Sequence, residues 1–177
     1  MAGISIKTTE AVAPAVDAIS LLRRDHGIVR LLFEEFSDAQ SLRRGPIARR
    51  ICKMLNVHSQ IEEEIFYPVV RAAMGIAEQV REAEVEHRRI TELIAAVEAA
   101  WGEDPQSAAT VQQLAEAVAV HVIQEEQNIF GPVGSSRLDL VALGSVLAER
   151  KRMLMDLIGL HDDDELPAQP EARIEAE

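Results

Sequence analysis

Residues 58–62 read HSQIE and residues 121–125 read HVIQE. Each places a glutamate four residues after a histidine, and positions i and i+4 lie on one face of an α-helix. If both segments are helical, His58–Glu62 and His121–Glu125 each aim an imidazole and a carboxylate at one point. The flanking residues predict helices. Ile51, Leu55, Ile61, Ile65 and Val69 recur at helical spacing around the first pair, and Leu114 and Ala117 precede the second on the side of His121.

Working outward, the punctuation predicts five helices: about Pro14 to Phe36, Pro46 to Ala73, Ile76 to Trp101, Pro105 to Phe130 and Ser136 to Gly159. Pro46 suits a first helical position and Pro68 should kink or end the second helix. Gly75 suits a C-terminal stop, and Asp104-Pro105 reads as cap then first position. Gly131-Pro132-Val133-Gly134 reads as a break, with Ser136 and Asp139 as a capping-box variant. Four helices of similar length joined by short turns form an up-down-up-down bundle. The chain is therefore expected to be all-α: a flexible N-terminus over 1–13, a bundle over 14–134, an additional helix over 135–160 and a disordered acidic tail over 161–177. Leu140, Leu143, Leu147, Leu154 and Leu157 make the extra helix a covering or dimerising element.

Four of the five histidines, His26, His58, His87 and His121, fall one to each bundle helix. In an antiparallel hairpin, residues equidistant from the turn share one level. The midpoint of 26 and 58 is 42, that of 58 and 87 is 72.5, and that of 87 and 121 is 104; each falls in or beside a predicted turn. The four imidazoles are expected in one layer, on apolar faces. Burying them without a partner is costly, and a cation removes the cost, since neutral imidazole ligates iron, zinc, copper or nickel. With Glu62 and Glu125 the set is four nitrogens and two carboxylates, more than one tetrahedral zinc needs. It suits two ions with both glutamates bridging.

Composition agrees. Apolar residues make up 47% of 177 and aromatics only 3%, which favours helices over a β-sandwich. The net charge of −12 disfavours nucleic acid as a partner. Half of that charge lies in 161–177, which holds seven acids and one arginine and is read as disordered. One cysteine excludes an internal disulfide framework. No run approaches the ~18 apolar residues of a membrane span, and no signal-peptide core is evident. A soluble, cytoplasmic protein without membrane contact is expected.

Several residues carry open readings. Glu126 rivals Glu125, because His58 to Pro68 is ten residues and His121 to Pro132 is eleven; a π-bulge would bring Glu126 inward. Asp25 and Glu86, each preceding a histidine, either orient imidazoles, on their own or a neighbouring helix, or are solvated. In 62–64 one ligand and two solvated charges are expected. Tyr67 reads as bundle-end packing ahead of a ligand, although phenolate does bind ferric iron. Trp101 reads as bundle-end packing, Cys52 as a buried small hydrophobe, His161 as exposed in the tail, and Glu84 as a solvated charge, an extra ligand or a group beside His87.

The order His, HxxxE, His, HxxxE resembles the hemerythrin-like, HHE cation-binding domain. LLRRDHGIVRLLFEEF (21–36), HSQIEEEIFYPVV (58–70), EHRRI (86–90) and HVIQEEQNIFGPV (121–133) are similar to its four helices, over about residues 18 to 134. The resemblance implies a non-haem diiron centre with a bridging oxo or hydroxo. His26 and His58 would bind one iron, His87 and His121 the other, with Glu62 and Glu125 bridging. Oxygen-carrying members have a further histidine one turn from the one on the third helix. Here Ala83 and Thr91 stand at those positions, which argues against reversible oxygen carriage and for chemistry at an open site. A ferritin-like site would need Glu-x-x-His on two helices, and only Glu84–His87 fits. The expected function is reaction with hydrogen peroxide or dioxygen, leaning to a catalase-like oxidoreductase. The alternative is a non-enzymatic oxygen, nitric oxide or iron module. A homodimer through the fifth helix is the expected assembly.

Overall fold

The computed structural model describes residues 16–100 and 105–160. The expectations for the N-terminus, Trp101, the cap at Asp104, His161 and the acidic tail lie outside the described residues. Helix α1 (Ala18–Asp38) starts where Asp17 caps it, its carboxylate accepting from the Ser20 backbone N–H at 3.0 Å and the Ser20 hydroxyl at 2.6 Å. Leu22, His26, Val29, Leu32 and Phe36 lie on its buried face. A break at Ala39 and Gln40 leads into α2 (Ser41–Ile61). This turn is shorter than expected, and Pro46 lies inside α2 rather than at its first position. The correction is physical: a proline six positions into a helix removes one bond, to the Leu42 carbonyl, near a solvent-facing helix end.

The second bundle helix does not stop at Glu62. A π-turn, π1 (Glu62–Phe66), follows and runs into α3 (Tyr67–Met74), with Pro68 in its first turn. There the Tyr67 N–H bonds to the Glu62 carbonyl five residues back. Gly75, at φ 68°, ends the helix in the left-handed conformation, as the sequence predicts. Helix α4 (Ala77–Ala99) is third, and α5 (Pro105–Glu125) is fourth. A second π-turn, π2 (Glu126–Phe130), extends α5 into a short helical turn, α6 (Gly131–Gly134). The expected break at 131–134 is therefore one more turn of helix. Pro132 stands just after π2, at the join between the π-turn and α6.

Helix α7 (Leu140–Leu157) is the additional element. It starts at Asp139, not Ser136, because the Asp139 carboxylate takes the cap by accepting from the Ala142 N–H at 2.9 Å. Ser136 instead accepts from the Leu138 N–H. The helix packs along α1, α2 and π1, and Leu147 is fully buried there. Burial of one such leucine contributes about 1.5–3 kcal/mol. Gly144 makes the approach possible: a Cβ there would lie 2.8 Å from backbone atoms of Asp17 and Ala18. The core runs through all four bundle helices, with Leu22, Leu32, Ile51, Ile61, Ile90 and Leu114 fully or almost fully enclosed. Among the described residues there is no strand, and no helix is long and apolar enough to cross a membrane. The protein is an all-helical bundle with an extra C-terminal helix.

Candidate metal centre

The bundle brings its four histidines into one layer. Each is at least 92% buried, and they face one another in two pairs. His26 Nε2 lies 3.1 Å from His58 Nε2, and His87 Nε2 lies 3.1 Å from His121 Nε2. Two cis ligands on metal–nitrogen bonds of about 2.1 Å are separated by about 3 Å, so each pair has the spacing of a chelate.

The two fully buried glutamates stand between the pairs. Glu62 Oε2 is 3.2 Å from His58 Nε2 and 3.4 Å from His87 Nε2. Glu125 Oε2 is 3.4 Å from His26 Nε2 and 3.8 Å from His121 Nε2. Each carboxylate thus reaches one nitrogen of either pair. Both oxygens of Glu62, and Oε2 of Glu125, are buried without a hydrogen bond. Buried carboxylate oxygens without partners are costly unless a cation meets them. Two overlapping clusters are close enough for metal: His26, His58, His121 and Glu125, and Glu62, His87 and His121. Together they contain all six residues singled out from the sequence, and the donor set fits a metal.

The outer nitrogens fix the direction of the inner ones. His26 Nδ1 donates to Glu126 at 3.1 Å, His87 Nδ1 to Glu63 at 3.0 Å and His121 Nδ1 to Glu86 at 3.0 Å. His58 Nδ1 faces Asp25 Oδ2 at 3.6 Å. A carboxylate only accepts, so the proton belongs on Nδ1, and in the neutral ring the Nε2 lone pair points inward. Asp25 and Glu86 therefore orient the histidine of the neighbouring helix, one of the readings left open by the sequence.

Glu125 is the inward carboxylate and Glu126 the outer one, which holds His26 and also pairs with Arg23 at 3.3 Å. The π-turn does not exchange them. Of the run 62–64, Glu62 is buried while Glu63 and Glu64 are both exposed, and Glu64 pairs with Arg150 at 2.7 Å. One buried carboxylate and two exposed charges stand as expected, but exposed Glu63 also reaches inward to His87 Nδ1, which the sequence reading missed. Its signal was the repeat HxxxEE, present at both 58–63 and 121–126. Glu84 pairs with Arg71 and stays away from the centre.

Tyr67 is not mere packing. It is fully buried, and its hydroxyl donates to Glu125 Oε1 at 2.8 Å and lies 3.4 Å from His87 Nε2. Burial and the charges of Glu62 and Glu125 hold its pKa well above the usual phenol value. Phe130 stacks on His26 with ring centroids 5.6 Å apart and planes nearly parallel. Lys151, from α7, was missed: its ammonium lies 2.8 Å from Asp25 Oδ1, and both side chains are buried. The available signal was a lysine on the same stripe as Leu143, Leu147 and Leu154.

Without metal the centre holds protons. Burial opposes protonation of His58, but Glu62 and Asp25 outweigh it and raise its pKa to about 10. Burial likewise opposes His87, and Glu62 with Glu63 raises it to about 9. Burial pushes Glu62 up, but His58 and His87 bring it well below the carboxylate range. Cys52 is enclosed, and burial pushes its thiol up to about 12. That makes it inert packing, as expected.

The sequence model described as the hemerythrin HHE cation binding domain matches residues 17–133, about two thirds of the chain. The chain belongs to the hemerythrin HHE cation-binding domain family. A crystal structure of an HHE domain-containing protein from Mycobacterium kansasii superposes with a TM-score of 0.71, at 21% identity, covering 84% of this HHE chain and 94% of that one. That likeness concerns the fold. A curated relative from a Nostoc species, named a DNA nickase, is 32% identical over 118 residues, covering 64% of this chain and 32% of the relative. The HHE chain thus spans about a third of that protein's length.

Proposed function

We propose that this HHE protein is a non-haem diiron protein that reacts with hydrogen peroxide or dioxygen, with catalase-like decomposition of peroxide as its main activity. The observation that carries the reading is the position of Glu62 and Glu125, each 3.2–3.8 Å from one Nε2 of either histidine pair. That arrangement suits two ions sharing two carboxylates, with two histidines on each. A pair of irons with an oxo or hydroxo bridge would supply two-electron redox chemistry and positions open to a small ligand.

The chain's own residues do the rest. Asp25, Glu63, Glu86 and Glu126 hold the four rings with their Nε2 atoms inward. Tyr67 keeps the Glu125 carboxylate in place and remains a protonated hydroxyl at the site. Ala83 and Thr91 supply no further imidazole beside His87, which favours a centre that is not saturated with nitrogen. The net charge of −12 opposes contact with a phosphate backbone, so the nickase name of the longer relative is not transferred.

The test is oxygen evolution from hydrogen peroxide by iron-loaded protein, with iron counted in the same sample. Loss of activity in Glu62→Ala and His121→Ala is expected. Undiminished activity in both overturns the reading, and iron bound without peroxide consumption turns it into a non-enzymatic oxygen, nitric oxide or iron module.

A further inference from the structure

The two halves of the bundle, α1–α2–π1 and α4–α5–π2, are built alike around the centre. His26 and His58 correspond to His87 and His121, and Glu62 and Glu63 to Glu125 and Glu126. Their outer grooves differ. On the first half the positions above the centre are Leu21, Leu22, Ile61 and Ile65, and α7 lies along that side. Leu21, Leu22 and Ile61 are buried. The equivalent positions on the second half are Glu82, Ala83, Gln124 and Asn128; of these, Glu82, Gln124 and Asn128 are exposed.

A cleft opens there. It is lined by Gln79, Glu82, Ala83, Glu86, Gln124 and Asn128. Glu125 also belongs to the lining; it is only 1% exposed, with its Oε2 buried and without a hydrogen bond. One residue of the cleft lining thus carries a carboxylate oxygen that lies 3.4 Å from His26 Nε2 and 3.8 Å from His121 Nε2. With Glu125 and Ile129 included, the lining has three carboxylates, three side-chain amides, two apolar residues and no lysine or arginine. Such a lining repels anions and raises the local concentration of cations. Carboxylate and amide oxygens also suit a hard divalent ion that is losing water.

We propose that the cleft between α4 and the α5–π2 helix is the portal through which a divalent cation reaches the buried centre, the matching groove on the other half being closed by α7. The proposal rests on the metal reading of the centre, and its test separates the two. Co²⁺ is mixed with chelator-stripped full-length protein in a stopped-flow instrument, and uptake is followed by its visible absorption. The variants are Glu82→Arg/Gln124→Arg, which reverses the charge of the mouth, and Gln124→Trp, which obstructs it without charge. Glu92→Arg on the exposed surface of α4, outside the cleft, is the control.

Uptake is expected to slow at least about tenfold in the double variant, within the range that charged clefts impart to association rates. Gln124→Trp should also slow it, Glu92→Arg should leave it unchanged, and the final Co²⁺ content should be equal in all four proteins. Rising salt should slow the wild type and not the double variant. Wild-type rates in both cleft variants overturn the portal alone, as does equal slowing by Glu92→Arg. A wild-type chain that binds no Co²⁺ at equilibrium overturns the metal reading and the portal with it.

Discussion

Replacing Lys151 by methionine tests how α7 is tied to the centre. In the native protein the ammonium is 2.8 Å from Asp25 Oδ1, with the lysine side chain 11% and the aspartate 1% exposed. Burial pushes Asp25 up, but His58 and Lys151 outweigh it and keep its pKa below the usual value, so Asp25 is a carboxylate at neutral pH. Removing one partner of a buried pair costs about 3–5 kcal/mol, because the other charge stays buried. Here His58 Nδ1, 3.6 Å from Oδ2, offsets part of that loss, so the low end, about 3 kcal/mol, applies. At about 2–4 °C per kcal/mol for a chain of this size, Tm should fall by about 6–12 °C. Asp25→Asn in the same chain removes the stranded charge, so the double variant should recover most of the loss. The assay is thermal and urea unfolding of chelator-treated wild type, both single variants and the double variant. A Lys151→Met variant within about 2 °C of wild type, or a double-mutant cycle with no coupling, would refute the reasoning.

Other outcomes follow from the same geometry. In the metal-free protein His58 and His87 have pKa values of about 10 and 9, above the unfolded value of about 6.5. Their contribution to stability is full below about pH 6.5 and is lost as pH rises through 9 and 10. Glu62, depressed, contributes above about pH 4.3 and loses its share on acidification below that. Tm of stripped protein should therefore peak between about pH 5 and 7; an equal or higher Tm at pH 10 would contradict this. Metal displaces ring protons, so loading at pH 7.5 should release about two protons per chain, one each from His58 and His87, into a weakly buffered indicator. Gly144→Ala forces α7 off the start of α1, and unfolding should show a loss of about 1–3 kcal/mol. Tyr67→Phe removes the donor to Glu125 Oε1 and should weaken metal retention against a chelator about tenfold with little change in Tm; unaltered retention would remove the tyrosine from the site.

The sequence made the fold and the inner layer legible for one reason: helix rise is constant, so histidines on successive helices declare their level through the turns between them. His26, His58, His87 and His121 meet as that arithmetic predicts, although the first turn, at Ala39 and Gln40, lies upstream of its midpoint. The outer parts were hidden by the π-turns. Tyr67 is nine residues after His58, which in a regular helix is about half a turn away from it. One residue inserted at π1 makes that spacing behave as eight, within about 80° of the His58 direction. The tyrosine is thereby turned inward. Phe130, nine residues after His121, is brought onto His26 by π2 in the same way. Lys151 was hidden differently. A charge on an apolar stripe marks a partner but does not name it, and Asp25 is 126 residues away.

The central claim is that six residues on four helices hold two metal ions. The most direct test is elemental analysis of protein loaded with Fe²⁺ and freed of excess, for wild type and for Glu62→Ala, His87→Ala and His121→Ala, each checked by circular dichroism for an intact helical fold. Two irons per wild-type chain are predicted, with the visible absorption of an oxo-bridged diferric pair, and clearly fewer in each folded variant. A wild-type chain with no iron, or variants that retain two, would contradict the account.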